Sequence, residues 1–419
     1  MKVLILAEQC NPEWASLPYF SYQLALATSK KIDVVLVTHI RGQRGIENNL
    51  TGNNLEVIYI DNEFIAKPLY ILGQLLKKIK LGGLMTNMAL KYPPYIMFEY
   101  LAYKKLKKRL SYGEFDLIHR ISPVSPTLPS PFAKWSDKPF IYGPLNGALP
   151  WPKEAKDAAG KERELISFIR DVYKIFPYYQ ASFKYSARIL AAFEHVKSDI
   201  PNKYHNKVIK YDELGVSSDS YKPLGVEKKS EKCRFLFVGR LVPYKSADIA
   251  IKAFAESPLL SQCHELIIVG DGPEFSYLKS LINTYNASNS IELIGWKSQL
   301  EVAEIMQESD VFVFPTLREV GGNVIIEALS SGLPCIVPNY GGPSELVDED
   351  CGFKVPLCDK EEFILNYRTI MEKLANDKPL RMKLSKAARQ KVLDKYDWNV
   401  KAEKLIDIYR SVLSELKLS

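Results

Sequence analysis

Asp310-Val-Phe-Val-Phe-Pro315 leads through a short loop into Glu319-Val-Gly-Gly-Asn-Val-Ile-Ile-Glu327, and Gly332 and Pro334 follow. The first run is apolar enough to be buried on both faces, as a strand of a parallel sheet is. Val324 to Ser331 carries helical spacing and is stopped by Gly332 and Pro334. The stretch therefore predicts strand, loop and helix in that order, the unit from which parallel α/β sheets are built. Glu319 falls in the loop, and Glu327 falls one turn after Asn323 near the helix start.

Gly321 and Gly322 let the backbone approach a ligand closely, and the first amides of a helix are unpaired and point outward. Such a turn suits an anion flanked by hydroxyls: phosphate on the amides, sugar hydroxyls on the two carboxylates. A nucleotide-sugar has that shape. A lone glutamate in a loop or on a helix is ordinarily a solvated charge, so the reading depends on the residues around these two.

Working outward, short apolar runs alternate with helical stretches along the whole chain. Strands are expected at Val3–Ala7, Val34–Thr38, Glu56–Ile60, Leu117–His119, Phe140–Tyr142, Arg188–Ala192 and Val208–Ile209. After a polar stretch a second series follows: Phe235–Val238, Glu265–Val269, Ile291–Leu293, Val311–Phe314, Cys335–Val337 and Gly352–Val355. The chain has 419 residues, comfortable for two domains. The expected fold class is α/β, with two Rossmann-like, doubly wound domains facing across a cleft and ligands at the carboxyl ends of the strands. Residues 1–215 form the first, 216–232 a linker and 233–396 the second. A helix over 397–416, with Trp398, Ala402, Leu405, Ile406, Ile408 and Tyr409 near helical spacing, closes the chain.

In the second half Phe235–Val238 runs into Gly239-Arg240-Leu-Val-Pro-Tyr-Lys245. Gly239 permits a sharp turn, and Arg240 with Lys245 places two cations where a pyrophosphate needs neutralising. Gly270-Asp-Gly-Pro-Glu274 is a tight turn after the next strand, and its first reading is structural. Together with Glu319-x7-Glu327, Ala328, Gly332-Leu-Pro334 and Gly341-Gly342-x-x-Glu345, these motifs stand in a fixed order. The ordered set resembles that of retaining GT-B glycosyltransferases of family 4, over nearly all of Phe235 to Val355. The closing Tyr396-Asp-Trp398 helix is similar to that family's terminal helix, which crosses back to the first domain.

The resemblance implies donor binding by Gly239, Arg240, Lys245, Gly270, Glu319, Gly321, Gly322, Asn323 and Glu327. Arg240 and Lys245 would stabilise the departing pyrophosphate, Glu319 would hold sugar hydroxyls, and Glu327 would accept from the ribose diol. It further implies hexosyl transfer with retention from a UDP- or GDP-sugar, with no cofactor and no required metal. Leaving-group stabilisation and positioning would carry the catalysis. The chain departs from the family pattern at three places. Gly321 stands where an aromatic is usual, Asn11-Pro-Glu-Trp-Ala-Ser16 replaces a glycine-rich loop, and His119 is the sole histidine of a usual His-x-His pair. His119 is expected at the catalytic centre, and Gly143, Asn146 and Gly147 at the acceptor side. Asp348-Glu-Asp350 has the spacing of a metal motif from another fold, but it sits in a polar turn far from the pyrophosphate loop.

A net charge of +7 is unevenly placed: Lys67 to Arg109 holds ten Lys or Arg and one acid, Glu99. Tyrosines interleave with them, a composition that suits an anionic membrane face as well as a solvated helix over a core. The expected acceptor is a saccharide or a lipid-linked saccharide, in polysaccharide or glycolipid assembly. No nucleic-acid recognition motif accompanies the charge. No span is long and apolar enough to cross a bilayer, and six cysteines lack metal spacing. A cytoplasmic protein, peripheral on the inner membrane face, follows as the expectation. The rival readings are a nucleotide-sugar epimerase or hydrolase on the same fold, or a non-catalytic nucleotide-sugar-binding subunit. A nicotinamide oxidoreductase would need a glycine fingerprint that neither half supplies.

Overall fold

The computed structural model describes residues 1–50, 55–78, 84–147, 149–155, 173–223 and 232–418. Residues 224–231 of the expected linker and Lys80 of the basic stretch lie outside that set. The chain divides into two compact units. One holds Met1–Ala148, Ile166–Glu213 and Lys401–Ser419; the other holds Leu149–Leu165 and Leu214–Val400.

The first unit is built on seven parallel strands: β1 (Lys2–Ala7), β2 (Asp33–His39), β3 (Leu55–Ile60), β4 (Leu117–Ser122), β5 (Phe140–Leu145), β6 (Arg188–Ala191) and β7 (Val208–Lys210). Their order across the sheet is β3-β2-β1-β4-β5-β6-β7. Val3 to Ala7 are essentially inaccessible because β1 lies between β2 and β4 and helices cover both faces, which is why its sequence is apolar without alternation. The helix Leu84–Ser111 turns Tyr95, Phe98, Ala102 and Leu106 into this core. The basic stretch is therefore mostly one helix whose inward rings are core residues.

The second unit carries β8 (Arg234–Val238), β9 (Glu265–Val269), β10 (Ile291–Gly295), β11 (Val311–Val313), β12 (Cys335–Pro338) and β13 (Gly352–Val355), again all parallel. The order is β10-β9-β8-β11-β12-β13. In both sheets the winding reverses between two central neighbours, β1 and β4 in one and β8 and β11 in the other. Loops diverge at such a switch point and leave a crevice at the carboxyl ends of the strands.

One boundary differs from the sequence reading. The stretch beginning at Leu149 belongs to the second unit because side chains there hold it. Arg318 Nε donates to the Leu149 carbonyl at 3.0 Å, and Tyr340 OH donates to the Pro150 carbonyl at 2.8 Å. The terminal helix Trp398–Leu418 begins in the second unit, yet Ala402, Leu405, Ile406 and Tyr409 are buried in the first.

Candidate functional site

Glu319 lies on the loop after β11, and Glu327 on the helix that follows it, next to the switch point of the second sheet. Gly239 leaves β8 with its amide bonded to the Val269 carbonyl at 3.0 Å, and Leu241 bonds to the Asp271 carbonyl at 3.0 Å. These bonds zip the loop after β8 to the turn after β9. The fit leaves no room for side chains: a Cβ on Gly270 would lie 1.9 Å from the Gly239 carbonyl oxygen, and one on Gly272 2.4 Å from that of Leu241. Gly270 and Gly272 thus shape the cation loop rather than offer a ligand surface of their own.

Arg240, at the rim of that loop, is exposed, and its guanidinium makes no hydrogen bond or ion pair with any described residue. Lys245 ends the short 3-10 turn Pro243–Lys245 and lies under a sixth exposed. Its ammonium stands 4.8 Å from the Phe314 ring centroid and forms an ion pair with Glu319. The loop after β11 is fixed to the same turn, since Leu317 N–H donates to the Tyr244 carbonyl at 2.8 Å.

Glu319 is held by backbone as well. Its carbonyl accepts from the Gly342 amide at 3.0 Å, and a Cβ on Gly342 would meet the Gly321 carbonyl oxygen at 2.3 Å. Gly322 takes φ +117°, a left-handed conformation that glycine adopts freely, and starts the helix Asn323–Ser330. No side chain caps that helix start, and the Oδ1 atom of Asn323 is buried without a protein partner. One turn on, Glu327 is partly buried and its carboxyl has no hydrogen-bond partner among the described residues. Desolvation alone pushes its pKa up to about 7. An unpaired carboxyl can accept from hydroxyls, and open amides at a helix start can take an anion.

Sequence reasoning missed the neighbours of this cluster. Arg318 stacks over Trp151 at 4.9 Å, and Trp151 meets Tyr244 edge-on at 6.2 Å between centroids. These contacts strap the segment from Leu149 to Trp151 beside the Lys245 turn. Only the adjacency of Arg318 to Glu319 could have drawn attention to it. Asp348 of the Asp-x-Asp triplet is committed elsewhere, to Lys391 Nζ at 2.6 Å and Cys351 Sγ at 3.2 Å.

In the first unit His119 requires correction. It is wholly buried on β4, with Nε2 2.7 Å from the Gly143 carbonyl and Nδ1 2.7 Å from Tyr409 OH. A carbonyl only accepts, so Nε2 carries the proton and Nδ1 accepts from the tyrosine. Burial lowers its pKa to about 3. Both nitrogens are engaged in the interior, so His119 is a core residue that buttresses the terminal helix, not a catalytic one. Gly143 shares that role: its carbonyl is taken by His119, and a Cβ there would meet the Leu190 carbonyl oxygen at 2.3 Å. Asn146 caps Gly147 N–H at 2.7 Å and donates to Glu213, whose carboxyl burial pushes up to about 7. Behind β4 a further buried network runs from Arg120 to Tyr95 OH at 3.1 Å and from Tyr95 to Glu99.

Residues 225–391 match the sequence family described as glycosyl transferases group 1. The matched segment lies within the second unit. Over 193 residues the chain is 35% identical to the UDP-Gal:alpha-D-GlcNAc-diphosphoundecaprenol alpha-1,3-galactosyltransferase of Escherichia coli, covering 45% of this chain and 47% of that protein. Sulfoquinovosyl transferase SQD2 of Arabidopsis thaliana is 29% identical over 204 residues, 46% of this chain and 38% of that one. The chain spans less than half the length of these curated relatives. Among solved structures, a glycosyltransferase from Rickettsia africae superposes with TM-score 0.61 at 16% identity, covering 98% of both chains. HepE of Anabaena in complex with UDP and glucose does so with TM-score 0.60 at 16% identity, over 98% of this chain and 100% of that one. At such identity the likeness speaks for the fold: two Rossmann-like units of the GT-B class. Within the matched segment the Lys245–Glu319 pair joins the loops that follow β8 and β11, and Glu327 stands on the helix after the second of these.

Proposed function

We propose that this protein is a retaining glycosyltransferase that moves a hexosyl group from a UDP- or GDP-sugar to a saccharide or lipid-linked acceptor. The Lys245–Glu319 pair, with the unpaired Glu327 on the helix that follows the Glu319 loop, carries the reading. On donor binding, Arg240 and Lys245 meet the diphosphate, the amides at the start of the helix Asn323–Ser330 add partial positive charge, and Glu319 turns to sugar hydroxyls. Glu327 accepts from the ribose diol. As the glycosidic bond to phosphate breaks, negative charge grows on the diphosphate, and the two cations stabilise it without a metal ion or cofactor. The acceptor oxygen attacks from the leaving-group face and gives its proton to a phosphate oxygen, so the anomeric configuration is retained. No protein nucleophile is required.

The relative in Escherichia coli is named for a UDP-galactose donor and a diphosphoundecaprenol-linked acceptor, and this supports a UDP-sugar and a lipid-linked acceptor here. Assembly of a polysaccharide or glycolipid at the cytoplasmic face of a membrane is the matching role. A thermal-shift panel of UDP-, GDP- and ADP-sugars plus NAD, on wild type and Glu327→Ala, tests the donor site. A shift with one nucleotide-sugar class that the variant weakens is the expected result. No shift, or equal shifts in both proteins, overturns it. Turnover that requires an acceptor then separates transfer from epimerisation or hydrolysis.

A further inference from the structure

The helix Glu63–Lys78 of the first unit buries none of its residues, although half its length is strongly apolar. Its inward side, with Ile65, Leu69 and Leu76 partly covered, lies against the helix Leu84–Ser111. A second apolar row faces away: Phe64, Pro68, Ile71, Leu72 and Leu75, spaced as one helical face. Phe64 is 67% exposed, Ile71 49%, Leu72 43% and Leu75 54%. Such a row in water is unfavourable and marks an interaction surface.

Charge identifies what the surface meets. Lys67 and Lys78 stand four residues before and seven after Ile71, on the border of the apolar row, and both are exposed. Lys91, Lys104, Lys107 and Lys108 on the adjoining helix are exposed as well. The single acid of the stretch, Glu99, is withdrawn into the core, where Ser130 Oγ and Phe132 N–H donate to it at 2.8 and 3.0 Å. An apolar face bordered by lysines, with no acid exposed between Lys67 and Arg109, has the make-up of a helix lying in the plane of a bilayer interface. Two tyrosines of that stretch are committed elsewhere: Tyr95 is buried, and Tyr92 OH bonds to the Pro177 carbonyl at 2.7 Å.

We propose that the outer face of Glu63–Lys78 docks on an anionic phospholipid surface, with Phe64, Ile71, Leu72 and Leu75 entering the headgroup–acyl boundary and the lysines meeting phosphates. This deepens the acceptor side of the function proposed above and rests on that reading only for its purpose, delivery of a membrane-borne acceptor. Among the described residues no helix is long and apolar enough to cross the membrane, so contact of this kind is peripheral.

Flotation of the whole chain with phosphatidylcholine vesicles, with and without phosphatidylglycerol, tests it without donor or acceptor. Wild type is expected to float with the anionic vesicles and to be released by salt. The double variant Ile71→Glu/Leu75→Glu is expected to lose about tenfold or more in partitioning. Lys67→Ser and Lys78→Ser should each cost roughly fivefold. The nucleotide-sugar thermal shift, unchanged in all variants, shows that they fold and reads the donor site separately. Failure of wild type to float, or flotation of the glutamate variant at the wild-type level, overturns the proposal. So does a dimer in light scattering that the glutamate variant splits, since the face would then belong to a second copy.

Discussion

Lys245 and Glu319 form an ion pair between the loops that follow β8 and β11, adjacent parallel strands of the second sheet. The two charges satisfy each other at 15% and 18% side-chain exposure. A nucleotide-sugar offers each a better partner, diphosphate for the lysine and hydroxyls for the carboxylate. On the proposed function, the pair keeps both groups in place until the donor separates them.

Lys245→Ala is expected to weaken nucleoside diphosphate binding and to lower turnover by about 10²–10³-fold. Glu319→Ala releases the lysine, so diphosphate affinity should hold or rise while sugar transfer falls by about 10²-fold. Calorimetry with the free nucleotide, beside turnover, separates the two. Parallel losses in both variants would rule out the division of roles.

Glu327 sets a pH dependence. Its folded pKa is raised from 4.5 to about 7, so the free protein keeps the proton longer than the unfolded chain does. Stability of the free protein therefore falls as pH rises from 4.5 to about 7 and is flat above, as far as this group is concerned. With Glu327 on the ribose diol, as proposed, donor binding runs the other way, because the diol needs the carboxylate. Donor affinity should drop about tenfold per unit as pH falls below 7, and Glu327→Gln should flatten the profile. Titration calorimetry at several pH values between these limits reads both.

His119 gives the opposite sign. Its folded pKa is lowered from 6.5 to about 3, so the unfolded chain takes up the proton first and stability is lost as pH falls below 6.5. His119→Ala should cost roughly 3–4 kcal/mol, from a cavity and from unpaired Tyr409 OH and Gly143 carbonyl groups. Urea unfolding measures the loss. Turnover per folded molecule at neutral pH should remain near wild type, which a catalytic histidine would not allow.

The turn after β9 separates backbone strain from steric exclusion. Gly270→Ala puts a Cβ 1.9 Å from the Gly239 carbonyl oxygen at φ +146°, and a loss of about 3 kcal/mol or more is expected. Gly295→Ala, at φ +76° with nothing within 4 Å, should cost only about 1 kcal/mol. Comparable losses in urea unfolding would show that the Gly239 loop yields to the turn.

Hydrophobic periodicity is local, and so every strand named from sequence is found, with ends shifted by only a few residues, as β11 (Val311–Val313) and β4 (Leu117–Ser122) show. The same locality placed Glu319 in a loop and Glu327 on the following helix, because Gly321, Gly322 and the stop at Gly332 act within one turn of chain. Tertiary structure alone decided which groups meet. Lys245 finds Glu319 across 74 residues, and His119 finds Tyr409 across 290. The histidine's chemistry was legible, but its burial under a distant helix was not, and burial is what removes its proton and its access. The strap at Leu149 joined the second unit through Arg318 and Tyr340 for the same reason. Sequence patterns state what each segment needs to bury or bond; only the packed chain settles which partner supplies it.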